Sequence, residues 1–343
     1  PPAWPSATAV RAGRTWMNPH GCGIFDVPLS TIDGVGTPAH LIVPANEPQL
    51  LRFLDATSDS FKYLRLRDAD GNVQAMHIVG RDGVPVSADD DHPLARYVST
   101  NGLLLPPTGR VDILLTLTPG KKLTLYGDAR CINPSGEIVL RHDFLTIEAG
   151  PPPQKPTVIA SAPLTAADSR ARTLERFAFS HPNLVRRRAI TYTAYVIPTG
   201  GKPPMHPEFY ITDTTNPNFH EHPFSPVYAK DGTVPANPDI VVKHGTIEEW
   251  YIFNATLEVH SFHIHQMAFA AEDEPGGPAM LDTAVIPVGK VLPNAADPNY
   301  PLIKPSRTRV LLDFRNVPRG EFVFHCHMLF HEDRGMMATI RVE

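Results

Sequence analysis

No apolar run in this chain approaches the about 18 residues needed to cross a bilayer, so no membrane span is expected. Positive charge is not in excess: 31 Lys and Arg stand against 36 Asp and Glu, for a net charge of -5. That balance leaves no general footprint for nucleic acid. A signal peptide is missing, and the first residue is Pro1, not Met. The chain is therefore read as processed or as a fragment, with any targeting signal lost. Cysteine is scarce, at three in 343 residues. If Cys326 has another use, at most one disulfide remains, and Cys22 and Cys131 are either paired or two separate thiols.

Proline is abundant, at 37 residues, and short Val, Ile, Leu and Tyr runs lie between Pro, Gly and Asp clusters. That pattern predicts an all-β protein with many turns. The length suffices for two domains with sizeable cores. Residues 1–28 read as a lead-in. From 29 to 150 the text is regular, with alternating segments at Gln49 to Asp55 and Lys62 to Arg67 and turn signals at Asp70-Gly71 and Asp82-Gly83. Gly109 to Leu115, Lys122 to Tyr126 and Phe144 to Ile147 complete a first sandwich of Greek-key type. Residues 151–176 form a linker opened by Gly150-Pro-Pro-Pro, a stiff extended spacer. A short helix is expected over 163–175, and Arg186-Arg-Arg188 reads as a solvated surface strand or turn. Residues 177–343 form a second strand-rich unit of the same kind.

The chemistry gathers near the C-terminus. Phe-Val-Phe-His325-Cys326-His327 is followed by His331 and Met336. A thiolate, an imidazole and a thioether on one short loop suit a blue (type 1) copper, with a trigonal sulfur and nitrogen plane and a long axial sulfur. The second imidazole of that plane is available from His260-Ser-Phe-His263-Ile-His265. Side chains alternate faces along a strand. One face thus collects Cys326 and His260, joined by His331 and Met336. The other collects His263, His265, His325 and His327, four imidazoles suited to a second copper centre. Cys326 is covalently continuous with His325 and His327, a short electron path.

H-x-x-H-x-H followed about sixty residues later by H-C-H-x-x-x-H-x-x-x-x-M resembles the C-terminal signature of the multicopper oxidases. The ending around Glu332-Asp333 and Met336-Met337 is similar to spore-coat laccases and bilirubin oxidases. The loose matches at Arg52 to Thr57, at Asp82-Gly83, at Arg110-Val-Asp112, at Gly245 to Trp250 and at Asp282-Thr-Ala-Val-Ile-Pro287 extend the likeness over most of the chain. The resemblance implies two cupredoxin-like domains, the family's second, copper-free one and its third. It implies type 1 copper on His260, Cys326, His331 and Met336. It implies half of a type 2/type 3 copper cluster on His263, His265, His325 and His327. The activity it implies is one-electron oxidation of a small reductant (a phenol, an aromatic amine, a bilin or a metal ion) coupled to reduction of O2 to water, in the periplasm or outside the cell.

One feature departs from the family. The remaining four cluster histidines belong to an N-terminal cupredoxin domain with two H-x-H pairs, and the first part of this chain has none. His20, His40, His77, His92 and His142 are isolated. The only other H-x-H is His220-Glu-His222, where the family has no ligands, and His181, His206 and His244 read as structural or surface residues. The expectation is a second and third domain whose cluster is completed by a missing N-terminal domain or another chain. The alternative is a mononuclear blue-copper electron-transfer or copper-binding protein without O2 reduction.

Overall fold

The computed structural model describes residues 31–32, 35–87, 91–131, 138–139, 141–165, 184–197, 206–215, 238–256, 258–272, 278–292 and 302–343. Among the described residues the regular structure is almost all β-strand, with one four-residue helix, Leu329–Glu332. Among the described residues, two pairs of sheets enclose the two main hydrophobic cores, as the pattern of short alternating runs predicts.

In the first pair, one sheet runs in the order Leu103–Leu105, Lys62–Asp68, Lys122–Gly127, His142–Gly150, Ala39–Pro44. Its last two strands are parallel. The facing sheet runs Ala162–Pro163, Arg96–Thr100, Met76–Arg81, Arg110–Leu115, Gln49–Leu54. Alternation explains which side chains meet: Leu64 and Leu66 point inward from Lys62–Asp68, while the residues between them are half-buried. In the second pair, one sheet runs His206–Asp213, Leu184–Ile197, Ile247–Asn254, Ser306–Asp313, Phe269–Ala271, Ala279–Leu281. The other runs Ile240–Val242, Met337–Val342, Gly320–His325, His260–Ile264, Thr283–Ile286. The core between them contains Trp250, Phe262 and Phe324, and also Cys326 and Met336.

Three sequence expectations change. Ala162–Pro163 is no free linker: it pairs in parallel with Arg96 and Tyr97, and Leu164 enters the first core. The same strand replaces the start of the expected 163–175 helix, whose residues 166–175 lie outside the described ones. Arg188 is not solvated. It is buried on the Leu184–Ile197 strand, where its guanidinium donates to Glu248 at 2.7 Å and to Asp213 at 2.9 Å. A buried charge persists only when paired in this way. Arg186 and Arg187, by contrast, are exposed.

The two sandwiches touch at defined places. Phe61, from the first, is fully buried in the core of the second. Burying a side chain of this size stabilises by about 1.5–3 kcal/mol.

Candidate metal centre

The His260–Ile264 strand lies between Thr283–Ile286 and Gly320–His325, and His263 stands directly opposite His325. The Gly320–His325 strand ends at its first histidine. Cys326 follows, its N–H donating to the Met336 carbonyl at 3.0 Å. A one-turn helix, Leu329–Glu332, then returns the chain so that His331 faces inward. The first sandwich seats that turn: Leu329 N–H donates to the Ser58 carbonyl at 2.9 Å and Phe330 N–H to Asp59 Oδ1 at 2.8 Å.

The result on one side is a triangle of donors. His260 Nδ1 and His331 Nδ1 are 3.0 Å apart, and each is 3.6 Å from Cys326 Sγ. All three residues are buried. The circle through these atoms has a radius of about 2 Å, close to the about 2.0–2.3 Å at which imidazole nitrogen and thiolate sulfur bind a d-block ion. Donor type and spacing thus fit a type 1-like copper site. Met336 is fully buried in the same core. Burial, and then the charge of His331, hold the His260 imidazole well below its usual pKa. Burial also acts downward on His331, but the hydrogen bonds to Cys326 Sγ and to the Glu258 carboxylate outweigh it and raise its pKa to about 9. Glu258 Oε2 meets His331 Nε2 at 3.1 Å, so Nδ1 is the nitrogen turned to the triangle. Phe209 stacks on the His331 ring with centroids 4.0 Å apart.

On the other side, His263, His265 and His325 form a second group of potential metal donors. His265 Nε2 and His325 Nε2 lie 3.2 Å apart. The His327 ring stands beside them, 5.1 Å from His263 and 5.0 Å from His325 between centroids. Ring orientation is fixed from behind. His325 Nδ1 faces Glu332 Oε2 at 3.1 Å, and His263 Nδ1 donates to the Asp282 carbonyl and Thr283 Oγ1, both at 2.9 Å. Those contacts leave Nε2 of both rings for a metal, the usual way outer partners set a ligand tautomer. Burial, then the neighbouring His325, lowers the His263 pKa to about 4. The His263 imidazole is therefore neutral near pH 7, as a metal ligand must be. This group is more open than the first, with His265 exposed.

The structure therefore brings His260, Cys326 and His331 together, and separately His263, His265, His325 and His327. The isolated histidines of the first sandwich have other partners: His40 meets Glu148, His77 stacks on Tyr97, and His142 bonds Thr37. His220 and His222, like His20 and His181, lie outside the described residues, as does the Cys22–Cys131 question. Of the acidic residues Glu272, Asp273 and Glu274 that follow the H-x-x-H-x-H motif, Glu272 alone lies among the described residues, and it pairs with Arg309 at 2.8 Å.

Several participants escaped the sequence reading. Glu258 lies two residues before His260, ahead of the strand that begins there, and nothing in the local text ties it to His331. Ser261 places its N–H 3.5 Å and its hydroxyl 3.7 Å from Cys326 Sγ, while its Oγ accepts the His327 N–H at 2.7 Å. Hydrogen bonds of this kind at the sulfur tune a blue-copper potential. Nothing in the local text around Ser261 announces that contact.

Comparison with known proteins supports the same reading. Residues 202–343 match the multicopper oxidase family. Copper resistance protein A of Pseudomonas syringae pv. tomato is 25% identical over 162 residues, 46% of this chain and 22% of that protein. A homolog of it in Pseudomonas syringae pv. tomato strain ATCC BAA-871 / DC3000 is 28% identical over 163 residues, 46% of this chain and 23% of its own length. Among solved structures, the 2F4 variant of McoA multicopper oxidase from Aquifex aeolicus superposes with a TM-score of 0.63 at 16% identity, over 95% of this chain and 61% of the other. A multicopper oxidase from Campylobacter jejuni, described as a metallo-oxidase, gives 0.59 at 19%, over 93% and 57%. At such identities the structures speak for the fold alone, which is cupredoxin-like. The chain spans about three fifths of these solved relatives and aligns with under a quarter of the curated ones.

Proposed function

We propose that this chain, which carries a multicopper oxidase domain over residues 202–343 and the family's fold over most of its length, is the electron-collecting part of a laccase-type oxidase. The observation that carries the reading is the position of Cys326. It belongs to a complete three-donor triangle, and its two chain neighbours belong to the second histidine group. An electron taken up on the triangle reaches the other group through a few covalent bonds. Copper, when bound, supplies the one-electron redox chemistry and, at the second group, the site for O2.

The residues of this chain have separable tasks in that scheme. His260, Cys326, His331 and Met336 hold the mononuclear ion, and the surrounding apolar core insulates it. Leu329 and Phe330, 48% and 41% exposed, flank His331 and offer an apolar seat for a small reductant. Glu258 anchors the outer edge of the His331 ring. His263, His265, His325 and His327 supply half of a cluster. We place the remaining ligands on an N-terminal cupredoxin domain or on another chain, and the protein in the periplasm or outside the cell, both on family resemblance. Phenols, aromatic amines, bilins and metal ions all remain candidate reductants.

A second reading, a mononuclear blue-copper electron-transfer protein, is favoured by one observation: the triangle is complete within this chain while the second group stands open. Copper analysis, a visible spectrum and O2 uptake with a phenolic reductant separate the two. The expected result is an intense band at roughly 600 nm from thiolate-bound Cu(II). O2 uptake is expected to rise when a domain or chain bearing two H-x-H pairs is supplied. A band with no O2 uptake under either condition selects the electron-transfer reading. Copper-free protein with no band after copper addition would overturn both.

A further inference from the structure

The first sandwich has no cluster of metal-binding side chains among its described residues. Three of its relations to the second sandwich nevertheless converge behind one imidazole. Asp82-Gly83 joins Met76–Arg81 to Val84–Pro85, with Arg81 opposite Val84. Both turn residues have positive φ, 47° and 81°. That is a two-residue hairpin turn of the kind Asn-Gly and Asp-Gly favour. The turn alone explains the pair of residues, but it asks nothing of the carboxylate, since Asn serves there equally well.

The carboxylate has its own role. The Asp82 side chain is only 2% exposed. Burying a charge requires compensation. Asp82 Oδ1 accepts the Arg110 N–H at 2.9 Å, and Oδ2 accepts the N–H of Asp282 and of Thr283, each at 3.2 Å. Arg110 adds a two-pronged contact from the same sandwich. Its Nη1 donates to Asp282 Oδ1 at 2.8 Å and its Nη2 to Asp282 Oδ2 at 2.5 Å, while Nη2 also meets the Asp82 carbonyl at 3.1 Å. This fork geometry fixes a carboxylate in both position and plane. Thr283 Oγ1 donates to Asp282 Oδ1 at 2.9 Å, which turns the lone pairs of that hydroxyl toward His263. The Asp282 carbonyl and Thr283 Oγ1 are the two groups that receive His263 Nδ1–H.

We propose that Asp82 and Arg110 are positioning residues for His263, so that the copper-free sandwich sets the orientation of a ligand in the second histidine group. The inference rests on the reading of His263 as a metal ligand. The chain of contacts runs from Asp82 and Arg110 to Asp282 and Thr283, then to Nδ1, and so decides where Nε2 points. It reaches the second group from behind and does not run through the Cys326 triangle.

The test is a copper titration of the full chain. The affinity for the second copper is read by chelator competition and its nitrogen ligation by electron paramagnetic resonance, with the band at roughly 600 nm as an internal control. Asp82→Asn keeps the turn and the shape but loses one acceptor oxygen. Arg110→Lys keeps the charge but loses the fork. Each is expected to weaken second-copper binding about 10- to 100-fold, the usual cost of removing an outer partner, with the blue band unchanged. Arg67→Gln, which breaks an ion pair with Asp143 elsewhere in the first sandwich, is expected to leave both readouts alone. Second-copper affinity unchanged in both variants but lost in His263→Ala would overturn the positioning role and keep the ligand. Affinity unchanged in His263→Ala would overturn the ligand reading itself. Parallel loss of the blue band and the second copper in both variants would mean a general folding role, which also overturns the inference.

Discussion

The two histidine groups are built on the same pair of strands and differ in almost every other respect. His260, Cys326 and His331 are buried within the core, and their donor atoms already form a closed triangle. His263, His265, His325 and His327 gather around a face that includes the exposed His265. The three donors of the first group all come from this chain. The second is held firmly from behind, by Glu332 and by Asp282 and Thr283, but its front is open. The contrast separates two design problems that a single motif, His-Cys-His, solves by strand parity. One side must exclude solvent around a soft sulfur ligand. The other must present nitrogens outward, with their orientation already fixed.

The largest break in this contrast is Cys326→Ser. It removes the only thiolate of the triangle, so the band at roughly 600 nm is expected to vanish entirely. The second group should still take up copper, since none of its nitrogens is changed. Visible and electron paramagnetic resonance spectra of one copper-titrated sample check both statements. A surviving blue band would remove Cys326 from the site.

Next comes Glu332→Gln, which acts only on the open group. Glu332 faces His325 Nδ1, and although burial pushes its own carboxyl up, the hydrogen bond and charge of His325 hold it below the usual range. Losing that partner is expected to cost about 10- to 100-fold in second-copper affinity, with no change in the blue band. A loss of the blue band with second-copper binding intact would reverse the assignment of Glu332 to the open side.

Smaller effects of opposite sign are expected at the closed group. Ser261→Ala removes a hydroxyl from beside Cys326 Sγ. The sulfur then donates more strongly, Cu(II) is favoured and the midpoint potential falls. Glu258→Gln removes a negative charge from the outer edge of His331. That disfavours Cu(II), and the potential rises. Redox titration of the blue band measures both. Shifts of the same sign would refute the reasoning.

Much of this contrast was legible in the sequence because a strand has a period of two. His263 and His265 share parity, His260 differs from both, and Cys326 differs from its neighbours, so two faces follow from spacing alone. The turn at Asp82-Gly83 was legible for the same local reason. What could not be read was which distant segments dock. Arg110 and Asp282 are 172 residues apart in sequence. In the linear text Asp82 is a turn residue, Arg110 a polar position on an alternating strand and Asp282 the start of another. Only the packing of one sandwich on the other joins them. Arg188 follows the same logic. Three consecutive arginines look solvated until Glu248 and Asp213 arrive from other strands to pair with the third.

The smallest effect on the two sites themselves is expected where the first sandwich supports the closed side. Asp55 opens the loop that includes Ser58 and Asp59, the two residues that seat the turn carrying His331. Asp55 Oδ1 accepts the Thr57 N–H and hydroxyl, while Oδ2 has no hydrogen-bond partner among the described residues. Burial raises its pKa to about 6, despite Thr57 and the charge of Lys62. The folded state therefore holds this proton more tightly than the unfolded chain, whose value is near 3.8. Below about pH 4 the stabilising contribution is fully present, and it is lost as pH rises through about 6, a change of at most about 3 kcal/mol. Asp55→Asn keeps the Thr57 contacts through its carbonyl oxygen and cannot ionise. Its stability should lose this slope between pH 4 and 6, in denaturant titrations of the copper-free chain, while the blue band of the copper-loaded chain stays in place. A slope equal to that of the parent chain would mean that Asp55 titrates normally. A displaced blue band would mean that the closed group depends on the first sandwich as directly as the open one does.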